Sequence, residues 1–365
     1  MLTLRELAES LQLQEEPIRE GGSAAGRERQ HRLGRLTARE RLRTLLDPEA
    51  PIFELGLWAA WQMYSDVGDV PAAGVVTVLS TVQGRPVLVV ANDATVKAGS
   101  FFPQTVKKVL RAQRIAMHFR LPLVYLVDSA GVFLPMQDEI FPDEDDFGRI
   151  FRNNAVISAM GIPQYAAVLG NCVAGGAYLP VLCDTLLMTE GSQMSLAGPA
   201  LVKAAIGQTV DPEELGGARM HATVSGTADY YDRDDESCLT RLRSLIDLLP
   251  QPRTQRPSVA AARNPEDVYD IVPGTQASEF DMRDLLACVV DAGSLQEFRA
   301  DYGKTVVTAF ARIGGHPVGI VANQRNRTLT ATHRLQIGGV LYEDGAEKAA
   351  RFVMDCNQQE VPLVF

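Results

Sequence analysis

The spacing of apolar residues changes along this chain from helical to strand-like at Gly74, and the change predicts the first elements. Residues 75–81 and 86–91 are rich in β-branched side chains and flank Gln83-Gly84-Arg85, a combination that predicts a β-hairpin. Residues 105–119 carry apolar side chains at helical spacing, with lysines and arginines between them. This predicted helix leads into the apolar run 123–127, which is typical of a strand buried on both faces of a sheet.

A second unit of the same kind follows the first. The pattern predicts a helix over 147–160, a strand over 165–169, a turn over 170–176, a helix over 177–183 and a short strand over 186–189. Strands that alternate with helices in this order pair in parallel through crossover connections. The region is therefore predicted to have an α/β fold.

The chain repeats itself near its end. Residues 77–92 and 308–323 share Thr, Gly, Pro, Val, Val, Ala and Asn at a constant offset of 231, and 121–125 is echoed by 361–365. The spacing between the two segments is nine residues longer in the second copy, and the extra residues fall in the polar stretch 327–337. That stretch is interpreted as a loop insertion, and the repeat as two related α/β units.

These patterns predict two related domains, the second of them incomplete. A capping-box sequence from Thr37 to Glu40 belongs to a helical lead-in, and the proline-rich polar stretch after Leu249 is typical of a linker. A helical segment near 282–291 opens the second copy. The predicted organisation is a lead-in over 1–60, a first domain over 61–249, a linker over 250–265 and the beginning of a second domain over 266–365.

Composition changes this picture only by excluding classes of protein. At 365 residues, with 46% hydrophobic and 22% charged residues, the chain is long enough for two globular domains. It has no apolar run of roughly 18 residues, and its N-terminus is acidic where a signal peptide is basic, so membrane insertion and secretion are not expected. A net charge of −10 argues against nucleic-acid binding. The five scattered cysteines are expected to be buried free thiols in a reducing compartment.

Two clusters of charge have two interpretations each. The stretch from Arg27 to Arg43 is either an amphipathic helical region with a solvated basic face or a set of phosphate contacts. The acidic residues between Asp138 and Asp146 lack the alternating ligand spacing of a calcium loop, so a solvated loop is expected. The five histidines are isolated, and no zinc motif is present, so no metal is expected.

The candidate chemistry lies in two turns of small residues. Residues 170–178 read GNCVAGGAY between a predicted strand and helix, where exposed backbone N–H groups are able to stabilise an oxyanion. The alternative is that the glycines only allow close packing. A neighbouring turn contains Ser129, but it is not a G-x-S-x-G elbow and no histidine is placed to act as its base. The pattern favours chemistry in which a cofactor or substrate handles the proton.

Several ordered segments resemble one known family, the carboxyltransferase (β) subunits of biotin-dependent acyl-CoA carboxylases, with the methylcrotonoyl-CoA branch the most similar. The resemblance covers essentially the whole chain. The segments that carry it are residues 92–97 (NDATVK), 102–108 (FPQTVKK), 137–143 (QDEIFPD), 147–151 (FGRIF), 174–178 (AGGAY) and 198–205 (GPALVKAA).

The resemblance implies a crotonase/ClpP-like β-β-α superhelix in two related domains. The first would bind an acyl-CoA and the second the biotin carried by a biotin carboxylase/biotin carrier (α) subunit. Carboxybiotin would release carbon dioxide, the ureido anion would take the acidic proton, and the enolate would attack the carbon dioxide. The family assembles as a β6 hexamer within α6β6 and, in the methylcrotonoyl branch, serves leucine degradation. The implied compartment is the cytoplasm, or the mitochondrial matrix in a eukaryote.

The resemblance also implies the site residues. Backbone N–H groups of Gly175 and Gly176, with Ala174 beside them, would hold the enolate oxygen. Residues expected to seat the coenzyme A thioester are Val96, Lys97, Ser129, Ala130, Gly131, Gly198, Pro199 and Lys203.

Departures from the family pattern leave the substrate open. The chain has Ser129-Ala130-Gly131-Val132 where the methylcrotonoyl branch reads S-G-G-A, and Ala205-Ile206-Gly207-Gln208 where it reads A-T-G-E. The insertion and Gln324-Arg325-Asn326 are more similar to geranyl-CoA-type carboxylases. The first expectation is a 3-methylcrotonoyl-CoA carboxyltransferase. The alternatives are geranyl-CoA or another acyl-CoA, a glutaconyl-CoA-type decarboxylase, and a non-catalytic acyl-CoA-binding fragment.

The second copy of the repeat reaches only the strand that precedes the matching turn. A biotin half-site is therefore expected to be absent from these 365 residues. As a complete molecule, such a chain is expected to bind CoA thioesters without carboxylating them.

Overall fold

The computed structural model describes residues 3–249, 257–272, 274, 279–330, 333–358 and 361–365. The chain forms two compact units, one made of residues 13–251 and the other of residues 1–12 with 252–365. Residues 250–256, the first part of the predicted linker, lie outside the described residues.

In chain order, the α-helices are α1 (Leu4–Arg19), α2 (Ala24–Arg32), α3 (Ala38–Leu45), α4 (Pro103–Phe119), α5 (Gln137–Ile140), α6 (Phe147–Ala159), α7 (Tyr178–Val181), α8 (Pro199–Ile206), α9 (Pro212–Gly216), α10 (Ala218–Met220), α11 (Asp235–Asp247), α12 (Val268–Ile271), α13 (Met282–Leu286) and α14 (Glu343–Gln358).

The strands, also in chain order, are β1 (Phe53–Leu55), β2 (Val75–Val82), β3 (Arg85–Asn92), β4 (Leu123–Ser129), β5 (Gln164–Val173), β6 (Thr185–Thr189), β7 (Gln193–Ser195), β8 (Tyr230–Asp232), β9 (Gln296–Glu297), β10 (Val306–Ile313), β11 (His316–Asn323), β12 (Thr328–Leu329), β13 (Leu335–Gln336) and β14 (Leu363–Val364).

The first unit is built on an eight-stranded sheet with the order β1-β2-β3-β4-β5-β6-β8, and β7 pairs with β5. The predicted hairpin is confirmed as β2 and β3, which pair antiparallel from Val75 opposite Asn92. From β3 to β6 every neighbouring pair is parallel, as the helix and strand order predicts. The capping box at Thr37 is also confirmed at the start of α3.

The apolar runs of the central strands are explained by cores on both faces of this sheet. In β4, Leu123, Tyr125 and Val127 belong to the cluster that includes residues of α4 and α6. Val124 and Leu126 belong to a second cluster with residues of α3 and α11. Burying each such side chain contributes roughly 1.5–3 kcal/mol relative to exposure, so both faces of the strand must be apolar.

The bounds predicted for the turn over 170–176, the helix over 177–183 and the helix near 282–291 were wrong, and the predicted loop insertion contains a short strand pair. The turn predicted over 170–176 begins only at Ala174, because β5 continues to Val173; a 3-10 turn then precedes the short α7 in place of a helix over 177–183. The helix predicted to reach Asp291 ends at Leu286, and the Asp291 carboxylate instead accepts hydrogen bonds from the β10–β11 turn. The predicted loop insertion contains the antiparallel pair β12 and β13.

The second unit contains a four-stranded sheet with the order β14-β11-β10-β9. Its hairpin pairs Val306 with Asn323, the same register as the first hairpin at the sequence offset of the repeat. β14 adds to β11 in parallel, as β4 adds to β3. Within the described residues of the whole chain, no helix has both the length and the apolarity to cross a membrane.

Candidate functional site

Three turns meet at one edge of the first sheet, where the parallel strands β3, β4 and β5 end. They are residues 97–99, 129–131 and 174–177, and each follows its strand or lies a few residues beyond it. Because the carboxyl ends of parallel neighbours point the same way, the topology brings these turns together. Ligands of open α/β sheets bind at this edge.

The first turn runs in left-handed backbone conformation through Lys97, Ala98 and Gly99, at φ of 45°, 54° and 70°. Side chains disfavour this region by roughly 1–2 kcal/mol per residue, so the surroundings must hold it. A Cβ on Gly99 would lie 2.1 Å from the carbonyl oxygen of Asp128, which requires glycine there. Val96, just before the turn, is buried with Phe102, and the Lys97 ammonium donates to the carbonyl of Val67.

Hydrogen bonds fasten the second turn to the first. The N–H of Ala130 donates to the carbonyl of Ala98 at 2.9 Å, and the Ser129 hydroxyl donates to the carbonyl of Gly99 at 2.7 Å. The same hydroxyl accepts the N–H of Gly131 at 3.1 Å. Ser129 is thus buried and bonded to backbone on both sides, which fits a structural role and not that of a nucleophile.

The third turn touches the second. Gly131 has φ of 88°, and a Cβ there would lie 3.0 Å from the carbonyl oxygen of Val173. A Cβ on Gly176 would lie 3.7 Å from the Cα of Gly131. The predicted site residues from Val96 to Lys97, from Ser129 to Gly131 and from Ala174 to Gly176 are therefore brought into one contiguous group.

The third turn begins with Ala174 in left-handed conformation, at φ of 56°, and continues as a 3-10 turn through Ala177. The first N–H groups of such a turn, here those of Ala174 and Gly175, have no carbonyl one turn back to bond with. A Cβ on Gly175 would lie 3.0 Å from Cε1 of Phe147, so any side chain there would require the ring or the turn to shift. Because the turn consists only of alanines and glycines, its backbone N–H groups are not covered by large side chains of its own.

An apolar cavity of about 480 Å³ adjoins the third turn. Its lining includes Tyr178 and Val181 of α7, Leu196, Val202 of α8, and His221. Nε2 of His221 donates to the carbonyl of Met194 at 2.8 Å, and Nδ1 lies within hydrogen-bond distance of the Ser225 hydroxyl at 3.1 Å, so both ring nitrogens are engaged. The cavity therefore provides an apolar surface for a ligand. The imidazole of His221 in its lining already has a hydrogen-bond partner at each ring nitrogen.

The remaining predicted residues lie at the start of α8. Gly198 precedes the helix and Pro199 opens it, between Ala197 and Val202, both of which line the apolar cavity. Lys203 is exposed on α8 and is not part of the cavity lining. Gly198 and Pro199 thus lie in sequence between two lining residues without themselves lining the cavity, and no contact joins Lys203 to the three turns among the described residues.

One buried ion cluster beneath the turns was not predicted from the sequence. Arg41 is 1% exposed; its Nε donates to Asp235 at 2.8 Å, and its Nη atoms donate to Asp128 at 3.1 and 3.2 Å. The prediction of a solvated basic face or phosphate contact is wrong for Arg41, because carboxylates of β4 and α11 surround it. The available signal was Asp128, an acidic residue ending an apolar strand, since a buried carboxylate needs a partner.

The cysteine prediction is confirmed where it bears on the site. Cys172 on β5 is fully buried and forms no disulfide. Burial, with a smaller contribution from Asp128, raises the pKa of its thiol to about 12. A neutral thiol is a poor nucleophile, so Cys172 is a packing residue beneath the turns. Within the described part of the chain, no group of three or more His, Cys, Asp or Glu side chains is placed to hold a metal.

The fold and the turns define an α/β protein of the kind that binds a ligand at the carboxyl edge of its sheet. The family model described as the carboxyl transferase domain matches residues 29–365, and the chain belongs to that family. It is 46% identical over 350 residues to the biotin-dependent 3-methylcrotonyl-coenzyme A carboxylase beta1 subunit of Mycobacterium tuberculosis, covering 94% of this chain and 63% of the relative.

Solved structures agree with this assignment. The P. aeruginosa geranyl-CoA carboxylase beta subunit matches with a TM-score of 0.78 at 33% identity, over 99% of this chain and 64% of that one. The hexameric transcarboxylase 12S, solved with methylmalonyl-coenzyme A bound, matches with a TM-score of 0.63 at 33% identity, over 100% of this chain and 70% of that one. The predicted crotonase-like α/β fold is confirmed. The chain spans somewhat less than two thirds of the curated relative's length.

Proposed function

We propose that this chain is the acyl-CoA-binding part of the carboxyltransferase component of a biotin-dependent acyl-CoA carboxylase, with 3-methylcrotonoyl-CoA as the first candidate substrate. The observation that carries the proposal is the convergence of three small-residue turns beside an apolar cavity at the carboxyl edge of the sheet. A relative named for 3-methylcrotonyl-CoA at 46% identity supports the choice of acyl group.

The turns suit a reaction that passes through an enolate. Removal of the acidic proton of an acyl-CoA places negative charge on the thioester oxygen, and the backbone N–H groups at the start of the third turn, those of Ala174 and Gly175 with Gly176 beside them, are the donors proposed to hold it. Losing one such donor typically costs about 3–4 kcal/mol in the barrier. Ser129 to Gly131, with Val96 and Lys97, would seat the thioester opposite this turn, and Gly198 and Pro199 would border the acyl group.

The side chains of the three turns offer no free base for the acidic proton of the acyl-CoA. Apart from Lys97 and Ser129, both bonded to backbone carbonyls, the turns carry only methyl groups and glycines. This fits a reaction whose base and carboxyl group are both supplied by biotin carried on a partner subunit. The chain's own residues would bind the thioester, orient it and stabilise the charge on its oxygen.

Geranyl-CoA is the second candidate substrate. The cavity of about 480 Å³ lies within the range of roughly 300–1,000 Å³ typical of ligand pockets, and its lining is mainly apolar. The geranyl-CoA carboxylase beta subunit has a TM-score of 0.78 with this chain. A longer acyl chain would extend along the exposed Leu196.

The partners and compartment follow from the same proposal. We propose a biotin carboxylase/biotin carrier (α) subunit and a β6 hexamer within α6β6, supported by the beta-subunit name of the relative and by the hexameric transcarboxylase structure. The cytoplasm, or the mitochondrial matrix in a eukaryote, is the proposed compartment.

The proposal is tested by binding and then by carboxylation. Calorimetry with 3-methylcrotonoyl-CoA, geranyl-CoA, propionyl-CoA and free CoA should give tightest binding for one of the two branched acyl groups. Fixation of labelled bicarbonate with a biotin carboxylase partner and ATP then distinguishes carboxylation from decarboxylation. Equal affinity for free CoA and every acyl-CoA would contradict an acyl site.

Two glycine variants near Phe147 test whether the third turn is required for activity. Gly175→Ala puts a methyl 3.0 Å from Phe147 and displaces the proposed oxyanion turn, so carboxylation should fall at least a hundredfold. Gly148→Ala is the matched control, because it lies on α6 beside Phe147 with open space around its Cβ. With an active wild type as reference, equal carboxylation by the two variants would remove the oxyanion turn from the proposal.

A further inference from the structure

The strands β4 and β5 slip against each other just below the turns. Val127 lies opposite Val168, but Ser129 lies opposite Cys172. A step of two residues along β4 therefore corresponds to a step of four residues along β5. A slip of this kind leaves backbone groups of the longer strand without ladder partners. Buried groups of that kind must be satisfied elsewhere.

Arg41 and Asp128 bond to two backbone groups of β5 within the slipped segment. Nη2 of Arg41 donates to the carbonyl of Leu169 at 2.9 Å, and Oδ1 of Asp128 accepts the N–H of Asn171 at 3.1 Å. Between them, a Cβ on Gly170 would lie 2.1 Å from Oδ1 of Asp128, so the carboxylate occupies the space of the missing side chain. The ion pair therefore fills the slip in place of ladder hydrogen bonds.

The slip determines the position of the third turn relative to the second turn. Because β5 has two extra residues here, Cys172 and not Gly170 lies opposite Ser129, and Val173 comes to lie beside Gly131, where its carbonyl oxygen is 3.0 Å from the Cβ position. Arg41 is anchored from behind by Asp235, whose carboxylate also accepts the N–H of Leu36 at 3.0 Å. The guanidinium thus ties the segment before α3 and the start of α11 to the base of the site.

We propose that Arg41, acting through Asp128, is a positioning residue that sets the spacing between the Ser129–Gly131 turn and the Ala174–Gly176 turn. The inference rests on the proposed function for its catalytic consequence. Its structural part stands independently, because the hydrogen bonds that fill the slip exist whatever ligand the turns bind. Lysine cannot replace the forked donor, since Arg41 uses Nε and both Nη atoms at once.

The first test is local hydrogen exchange in the full-length chain. Arg41→Met should speed amide exchange at least tenfold in peptides covering 127–131 and 169–176, while β2 and β3 stay protected. Arg39→Met is the matched control on the same helix: its partner Glu54 keeps a second cation, Arg19, at 3.0 Å. Unchanged exchange around the slip in a folded Arg41 variant would overturn the proposal.

The second test separates positioning from binding. In the carboxylation assay, Arg41→Met should lower kcat about a hundredfold, the cost of misplacing reacting groups by about 1 Å, with KM for the acyl-CoA within threefold. Arg41→Lys should rescue little. An equal fall in kcat with Arg39→Met, or an intact kcat with Arg41→Met, contradicts the assignment.

A milder variant covers the case in which Arg41→Met does not fold. Asp128→Asn keeps an oxygen to accept the Asn171 N–H but weakens the pair with Arg41, so a tenfold fall in kcat and faster exchange at 169–176 are expected. Normal kcat and exchange in Asp128→Asn would then overturn the proposal. If the wild-type chain binds no acyl-CoA, the proposed function fails; if it binds acyl-CoA but fixes no bicarbonate, kcat cannot be measured. In both cases the exchange experiment alone decides the positioning role.

Discussion

The two hairpins of this chain, β2–β3 and β10–β11, share a framework but lead into different loops. Each pairs in the same register, and each has a threonine whose hydroxyl donates at 2.8 Å to a carbonyl at its edge strand, Thr77 to Leu55 and Thr308 to Phe298. The repeat seen in the sequence is therefore a repeat of hydrogen bonding.

Two further contacts are duplicated at offsets other than 231. The Asp47 carboxylate accepts the N–H groups of Gln83 and Gly84, as the Asp291 carboxylate accepts those of Gly314 and Gly315. A buried lysine donates to the first carbonyl of each hairpin, Lys108 to Val75 at 2.7 Å and Lys348 to Val306 at 2.8 Å. These residues lie across insertions, so sequence comparison at one offset does not find them.

The difference begins just after each hairpin. Asp93 accepts the N–H of Thr95 and Gln324 accepts that of Asn326, so both side chains cap the turn that follows. The first chain segment then enters the left-handed turn at Lys97 and meets Ala130. The second enters the β12–β13 pair. The framework is thus duplicated, while the chemistry depends on the loops.

The largest expected effect comes from a position at which the two hairpins differ. Leu88 of the first hairpin is fully buried, and the corresponding residue of the second hairpin is Gly319. Leu88→Ala should lower the free energy of unfolding of the first unit by about 4 kcal/mol, because a cavity is left in the core. Both tryptophans, Trp58 and Trp61, lie in that unit, so urea unfolding followed by tryptophan fluorescence reports on it alone. A loss below about 1 kcal/mol would contradict the role assigned to this position.

The elements of the fold could be predicted because they depend on local pattern. The hairpin, α4, α6 and the parallel strands follow from apolar period and from their order, and the site turns were located by their small residues. The left-handed conformations of Ala98 and Ala174 could not be predicted, since alanine disfavours them and distant contacts hold them.

The contacts under the site could not be predicted for a related reason. Arg41, Asp128 and Asp235 are far apart in sequence, and the strand slip they fill has no local signature. The pattern of 123–127 predicts a strand but not its register against β5. Side-chain partners that satisfy irregular backbone are therefore the part of a site that a single sequence leaves open.

The next largest effect is a pH dependence of stability, and it distinguishes the buried lysine of the first unit, Lys108, from that of the second, Lys348. Burial lowers the pKa of Lys108 to about 7, and the neutral amine has two N–H donors for the carbonyls of Ala72 and Val75. The unfolded lysine, with a pKa near 10.5, holds a proton that the folded one has released. Stability of the first unit should therefore rise between pH 7 and 9, by about 2–3 kcal/mol from this group.

The measurement is urea unfolding by tryptophan fluorescence at pH 7, 8 and 9, on the wild type and Lys108→Met. The variant should lose most of the rise, whatever its stability at pH 7. Lys348→Met is the control in the second unit and should leave the fluorescence transition and its pH dependence unchanged. An equal rise in wild type and Lys108→Met would show that Lys108 titrates normally.

A smaller effect is expected in acid from the aspartate of the first hairpin turn. Burial raises the pKa of Asp47, but hydrogen bonds from Gly84, Thr81, Gln83 and Arg243 outweigh it and bring the pKa to about 2. The stabilisation is complete above the unfolded pKa of 3.8 and is lost as pH falls towards 2, about 2 kcal/mol in all. Asp47→Asn should remove it at neutral pH and flatten the acid limb of a fluorescence-monitored pH titration. An unaltered acid limb would contradict the prediction.

The smallest effect concerns Gly319, which lets Cys356 of α14 pack against the second hairpin. A Cβ at position 319 would lie 2.5 Å from the Cys356 sulfur, so Gly319→Ala overpacks the site by about 2 kcal/mol, offset by about 1 kcal/mol because alanine loses less chain entropy. The net loss of about 1 kcal/mol is measured by hydrogen exchange of β10 and β11. Cys356→Ala removes the clashing sulfur, so the double variant should be more stable than the two single losses predict. Additive losses would mean that Gly319 is required by its other neighbours, Leu363 and Phe352, and not by the cysteine.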